Sequence, residues 1–273
     1  MDIWTSRDAL VLKALALRLG ELLPISPLCV HVKGHGGAKR TMKEIAVAAR
    51  HMPFVLRTDV RSFYASIDHN LVLDQVAAHI SDPGILNLVG QYLSRTAEWG
   101  GLYFEHRRGI SLGCPLSPLI GALYLKQLDD AFAGTGLFYR RFMDDVVVLA
   151  PTRWKLRAAV RTLNEVFVRL RVDKHPDKTF IGRVAKGFDF LGYRVSPKGL
   201  AVSAETKARF VERVRRLYEQ HAGGDNKVPS PVGKYVRRWL GWLRAAGEIE
   251  FDFKTLIGDL SPPAEALLHA ELQ

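Results

Sequence analysis

Two adjacent aspartates, Asp144-Asp145, stand between two strand-forming apolar stretches, and no other feature limits the fold of this chain so closely. Phe138, Tyr139 and Phe142 precede the pair, and Val146-Val147-Val148-Leu149 follow it. The pattern predicts a tight hairpin with carboxylates at its tip. A third carboxylate, Asp59, lies at the end of another apolar run, Phe54–Val60. Alternation there puts Val55, Arg57 and Asp59 on one strand face and Phe54, Leu56, Thr58 and Val60 on the other. A lone Asp-Asp pair usually marks a solvated turn. Buried and unpaired, each carboxylate would cost on the order of several kcal/mol, and neighbours of like charge repel. A multivalent cation relieves both problems, and hard carboxylate oxygens suit Mg²⁺ or Mn²⁺, not zinc. One carboxylate from a strand and two from a hairpin can hold two metals about 3.5–4 Å apart, the clamp of phosphoryl and nucleotidyl transfer.

Composition narrows the partner. The 273 residues are 48% hydrophobic and 25% charged, as expected of a globular chain with a real core. The net charge of +11 points to a polyanion, most often nucleic acid. Cys29 and Cys114 are the two cysteines, with neither metal-site spacing nor a disulfide framework. The segment Met1–Asp8 is polar and lacks the apolar core of a signal peptide. No long charge-free apolar stretch predicts a membrane span. The expected location is therefore the cytoplasm, with no membrane partner.

Along the chain, Thr5 or Ser6 reads as the N-cap of a helix whose Leu10, Val11, Ala14, Leu15, Leu19 and Leu22 recur at helical spacing. Residues 31–40 form a glycine-rich basic loop without the spacing of a phosphate-binding Walker A loop. A helix is expected over 41–51, a strand over 54–60, helices over 70–80 and 84–96, and a loop or short hairpin over 101–112. Ser117-Pro118 reads as an N-cap followed by proline at the first helical position, opening a helix to about Ala133. An amphipathic helix at 153–171 carries Arg153, Lys155, Arg157, Arg161 and Arg169 on its polar face. Strands are expected at 179–182, 187–195 and 200–202. Two basic helices, 204–220 and 231–246, flank a linker at 222–230. Lys207, Arg209, Arg213, Arg215 and Arg216 mark the first, and Lys234, Arg237, Arg238 and Arg244 the second.

Five of these segments, in order, resemble the motifs of reverse transcriptases of the bacterial, group II intron-like and retron type. Leu56–His69, LRTDVRSFYASIDH, looks like the first catalytic motif, and Arg108–Leu119, RGISLGCPLSPL, looks like the glycine-rich turn and helix that follow it. Phe142-Met143-Asp144-Asp145 is similar to the Y-x-D-D hairpin. His175-Pro176-Asp177-Lys178-Thr179 resembles the lysine motif, and Phe188–Tyr193, FDFLGY, resembles the hairpin that grips the primer. The resemblance implies an α+β right-hand polymerase. Its palm is an antiparallel sheet with packed helices, joined by a helical thumb and an incomplete fingers region. The implied divisions are partial fingers at 1–53, palm at 54–202 and thumb-like helices at 203–273.

The resemblance also assigns residues. Asp59, Asp144 and Asp145, with the Val60 carbonyl, would hold Mg²⁺ (or Mn²⁺). Lys178 would be the general acid for pyrophosphate. Tyr64 would lie under the sugar and select dNTP over rNTP. Gly113 and Ser117 would admit the incoming base and template, and Gly192 and Tyr193 would support the primer. Asp68 and His69 read as caps of the following helix. The chain departs from the family pattern at Ser111-Leu112, which replaces Pro-Gln, and at Phe142, which replaces Tyr. Met1 falls inside the second fingers motif, so Lys33, Lys39, Arg40 and Arg57 are the candidates for the triphosphate clamp.

The implied activity is RNA-directed DNA synthesis, with an RNA template, a DNA or RNA primer, dNTPs and a cognate structured noncoding RNA as partners. The alternative is a catalytically inactive or truncated RNA-binding remnant or subunit of a retroelement or antiphage system. A palm cyclase would need a G-G-[DE]-[DE]-F turn, which this sequence lacks, and primase-like use of rNTPs is tested at Tyr64.

Overall fold

The computed structural model describes residues 3–221 and 231–244, which fall into two compact units. The first comprises Met1–Ala38 and Met52–Gly182, and the second Lys39–His51 and Arg183–Gln273. The 222–230 linker and the end of the last expected helix lie outside the described residues.

The first unit opens with α1 (Ser6–Leu22), capped by the Thr5 side chain, which accepts from the Asp8 N–H at 3.2 Å. α2 (Gly37–Ala48), which from Lys39 onward belongs to the second unit, begins four residues before the expected 41, inside the glycine-rich stretch. β1 (Phe54–Thr58) ends one residue before Asp59. α3 (Phe63–Ser66) and α4 (His69–Ala77) follow, and Asp68 caps α4 through the N–H groups of Asn70 and Leu71, as expected of that residue. His69 bonds the Gly109 carbonyl at 2.8 Å instead of capping. α5 (Pro83–Leu93) leads into a hairpin of β2 (Thr96–Trp99) and β3 (Leu102–Glu105), nearer the N-terminus than the expected 101–112.

α6 (Ser117–Tyr124) and α7 (Lys126–Phe132) replace a single long helix, with a break at Leu125. β4 (Phe138–Phe142) and β5 (Asp145–Ala150) form the Asp-Asp hairpin, and α8 (Arg153–Arg169) follows under a Thr152 cap. β6 (Phe180–Arg183) completes a four-stranded sheet in the order β4-β5-β1-β6, with β5 antiparallel to both of its neighbours.

Register assigns each sheet face a job. Tyr139, Val146, Val148, Ala150 and Leu56 share one face and join the core with Leu156, Leu163, Val166 and Phe167 of α8 and Leu128 and Phe132 of α7. Arg57, Val147, Asp145, Arg140 and Phe142 share the other. These helices cover the first face; on the second, Val55, Val147 and Leu149 are also buried, and the charged residues Arg57 and Asp145 gather at the Asp-Asp end.

In the second unit β7 (Phe188–Phe190), β8 (Tyr193–Ser196) and β9 (Gly199–Val202) form an antiparallel meander. α9 (Ala204–His221) and α10 (Pro231–Arg244) then pack through Phe210, Val214, Val236, Trp239 and Leu240. Gly192, at φ 86°, sits in the β7–β8 turn, where an added Cβ would approach Thr206 Oγ1 to 3.1 Å. Among the described residues no helix is long and apolar enough to cross a membrane.

Candidate active site

β1 and β5 bring the three aspartates to one end of the sheet. Thr58 pairs with Val146, and one further step in that register sets Asp59 beside Asp145. Phe142 pairs with Asp145, so the hairpin connection is only Met143-Asp144. Asp145 therefore belongs to the strand, and Asp144 alone of the pair occupies the turn.

So short a turn needs an unusual backbone. Met143 takes φ 57°, left-handed and strained for a residue with a side chain. Two hydrogen bonds hold it there. Arg141 Nη1 donates to the Met143 carbonyl at 2.8 Å, and the Met143 N–H donates to His31 Nδ1 at 3.1 Å. Arg141 is wholly buried and is anchored by Asp129, also wholly buried, through Nε–Oδ1 at 2.8 Å and Nη2–Oδ2 at 2.5 Å. Arg141 also donates to the Ala122 carbonyl at 3.1 Å, and Tyr139 donates to Asp129 Oδ1 at 2.6 Å. The buried charge is thereby paired and nearly saturated with acceptors. The His31 ring stands edge-on to Phe142, with centroids 5.9 Å apart, where the family has a tyrosine.

The sequence reading missed Arg141, Asp129 and His31. The available signal was Arg141 sharing the inward face of β4 with Tyr139, a place for a charge only if it has a buried partner.

Asp59 is 6% exposed. Its Oδ2 accepts from Lys178 Nζ at 2.6 Å, while the buried Oδ1 has no hydrogen-bond partner. The segment carrying Lys178 is sewn to Asp59: His175 N–H donates to the Asp59 carbonyl at 2.7 Å, and Arg61 N–H to the Asp173 carbonyl at 2.8 Å. Thr58 and Thr179 hydroxyls meet at 2.7 Å, and Thr179 donates to the His175 carbonyl. Val60 bridges Lys174 without using its own carbonyl in those two bonds. Arg57 donates to the Lys178 carbonyl at 2.8 Å and stands 3.9 Å from Asp145 Oδ1. Arg57 is thus committed inside the site and not held ready as a triphosphate clamp. Arg40 is paired with Glu44 on its own helix.

Electrostatics record the crowding. Burial, then the Asp59 carboxylate beside it, pushes the Asp144 carboxyl up to about 7. Burial and Asp59 raise Asp145 to about 6, against the opposing pull of Arg57 and Lys178. The hydrogen bond to Asp59 raises the Lys178 ammonium above its ordinary value.

Among the described residues no three His, Cys, Asp or Glu side chains converge as a finished metal-ligand set. The donors nevertheless fit a hard divalent cation: oxygens only, under-neutralised, with one Asp59 oxygen unpartnered. Asp59 and Asp144 fit directly, and Asp145 is drawn towards Arg57. Lys178 competes for the Asp59 Oδ2 oxygen.

Tyr64 is half-buried, its hydroxyl pushed up to about 12 by burial and then by Asp144. Gly109 lies against the same segment at φ 84°, and a Cβ there would meet the Ala65 backbone at 2.9 Å, so only glycine fits. Gly113 is exposed in a left-handed turn.

Ser117 corrects the sequence reading. It makes no capping bond, and its hydroxyl is wholly buried, donating to the Ser111 carbonyl at 2.5 Å and meeting the Tyr92 hydroxyl at 2.7 Å. It braces the turn that carries Gly113 and presents no hydroxyl to a substrate. Leu112, where the family has glutamine, is 56% exposed. Gly192 and Tyr193 belong to the second unit, where Tyr193 is buried and stacked on Trp242 with centroids 4.4 Å apart.

Comparison with known proteins gives the family and the fold. The family model for reverse transcriptase (RNA-dependent DNA polymerase) matches residues 12–195, well over half of the chain. The chain belongs to the reverse transcriptase family. No curated protein matches the sequence. Among solved structures, the telomerase of Candida albicans, in complex with a TWJ fragment of telomeric RNA, shares the fold at TM-score 0.54 and 13% identity. That match covers 93% of this chain and 49% of the other. A Candida tropicalis telomerase without ligand gives TM-score 0.56 and 10% identity over 94% of this chain and 52% of the other. The chain spans about half the length of these telomerases. The likeness is one of fold.

Proposed function

We propose that this chain is an RNA-directed DNA polymerase of the bacterial, group II intron-like or retron type, adding dNTPs to a primer 3′-hydroxyl. The reading keeps 54–202 as palm, 203–273 as a thumb-like helical region and 1–53 as partial fingers. The observation that carries it is the gathering of Asp59, Asp144, Asp145 and Lys178 at one end of the sheet, within a family-matched segment.

Asp59 and Asp144 would hold Mg²⁺, or Mn²⁺, with the Val60 carbonyl near by. Bound divalent cations lower the pKa of the primer hydroxyl and neutralise triphosphate charge. The bond from the 3′-oxygen to the α-phosphorus forms as the bond to pyrophosphate breaks. Lys178 is protonated beside Asp59, and it would give its proton to the departing pyrophosphate oxygen once a cation takes the Asp59 carboxylate. Asp145 is steadied by Arg57 and supports the cluster. Tyr64 excludes the 2′-hydroxyl, and the turn at Gly113, braced by Ser117, lets the backbone approach the nascent pair. The template is RNA, the primer DNA or RNA, and a structured noncoding RNA is the cognate partner in a retroelement or antiphage setting. The telomeric RNA fragment bound by the Candida albicans telomerase supports RNA as a partner.

The test is single-nucleotide incorporation on an RNA template with Mg²⁺. Asp59→Asn is expected to abolish dNTP incorporation, and Tyr64→Ala to raise rNTP incorporation about tenfold. Unchanged incorporation by Asp59→Asn would overturn the proposal.

A further inference from the structure

α8 carries a surface that the catalytic site does not use. Its inner side, through Leu156, Ala159, Leu163, Val166 and Phe167, is buried on the apolar face of the sheet. Its outer side therefore lies across the sheet from Arg57 and Asp145. That outer side exposes Arg153, Lys155, Arg157, Arg161 and Arg169 against one acid, Glu165. Arg153, Arg157 and Arg161 form one row at four-residue spacing, about 6 Å per step.

Two observations separate this face from an ordinary solvated helix. Several other helices neutralise part of their basic charge locally: Arg18 with Glu21, Arg40 with Glu44, Lys126 with Asp130, Arg209 with Glu205 and Arg215 with Glu212. Among the described residues none of the five bases on α8 forms an ion pair, although Glu165 stands four residues from both Arg161 and Arg169. In addition, Trp154 is 75% exposed beside the arginine row, and the Arg157 guanidinium lies 5.0 Å from its ring centroid. A large apolar ring held open among unpaired guanidinium groups suits a partner that offers phosphates and unstacked bases together.

We propose that the outer face of α8 binds single-stranded RNA outside the catalytic cleft. Arginines on this face take phosphates, and Trp154 takes an unpaired base. The choice of RNA rests on the reading of the chain as an RNA-templated polymerase, since a template longer than the cleft is the single strand always at hand. Unpaired bases are also what an aromatic platform accepts and a duplex withholds.

The test uses the full chain, its cleft saturated with a short template–primer hybrid, and follows binding of labelled oligouridine by anisotropy over a range of salt. Replacing the row (Arg153→Gln, Arg157→Gln and Arg161→Gln) is expected to weaken oligouridine binding about tenfold or more. It should also make the salt slope shallower by about two. Trp154→Ala should weaken binding about fivefold and leave the slope unchanged. Both variants should extend the short hybrid at the wild-type rate. Asp144→Ala should bind oligouridine normally while losing extension, which separates failure of this surface from failure of the polymerase reading. Wild-type oligouridine binding by the triple variant would overturn the proposal. So would tighter binding of oligodeoxythymidine or of an acidic peptide at this face.

Discussion

The guanidinium of Arg141 reaches the main-chain carbonyl of Met143 at 2.8 Å from a wholly buried position. A charge in the core thus holds the strained residue next to Asp144, and Asp129 holds that charge. Removing one partner leaves the other ionised and unpaired in a dry site.

Arg141→Met is therefore expected to destabilise the fold by about 3–5 kcal/mol, and Asp129→Leu by a similar amount. The double variant should recover much of the loss, because neither charge is then orphaned. Urea unfolding of the three variants measures this, and additive losses would contradict it.

The carboxylate cluster predicts a conflict between stability and function. In EDTA at neutral pH, Asp144→Asn is expected to gain about 1–2 kcal/mol by removing a charge next to Asp59. Mg²⁺ should raise the melting temperature of the wild type and leave that of Asp144→Asn nearly unchanged. Equal Mg²⁺ shifts in both proteins would place the cation elsewhere.

Lys178 has two separable roles. As a half-exposed counter-ion it competes for Asp59, so Lys178→Ala should lower the Mg²⁺ concentration for half-maximal thermal stabilisation about threefold. As proton donor its loss should slow incorporation by about 10²–10⁴. A variant that incorporates at the wild-type rate would remove it from the chemistry.

His31 gives a pH dependence. Burial, the largest effect, pushes its ring down to about 4 from the usual 6.5. The folded state therefore binds fewer protons than the unfolded state between those values. The contribution of His31 to stability is complete above about 6.5 and is lost as pH falls towards 4, by about 2 kcal/mol after allowing for partial exposure. Chemical denaturation from pH 7 to pH 4 should show this slope in the wild type and a flatter one in His31→Gln. Parallel curves would refute it.

The four-stranded sheet and its helix α8 were legible because their signals are local. Alternation around Asp59, the Asp-Asp hairpin and the period of α8 follow from the residues themselves, and all three appear in the fold. The supports of the site were not. Arg141 reads as a polar strand residue, and only the folded chain brings Asp129 and His31 to it. Ser117 reads as a cap because Ser-Pro opens so many helices, yet packing against Tyr92 and Ser111 turns its hydroxyl inward. The early start of α2 shows Gly37 taken into a helix whose apolar positions Met42 and Ile45 are buried.

The most direct measurement is primer extension by the full chain on an RNA template with a DNA primer, Mg²⁺ and dNTPs, beside Asp144→Ala. The account predicts templated extension by the wild type and none by the variant, with RNA still bound by both. Extension that survives Asp144→Ala, or its absence in the wild type under every template and cation, would contradict it.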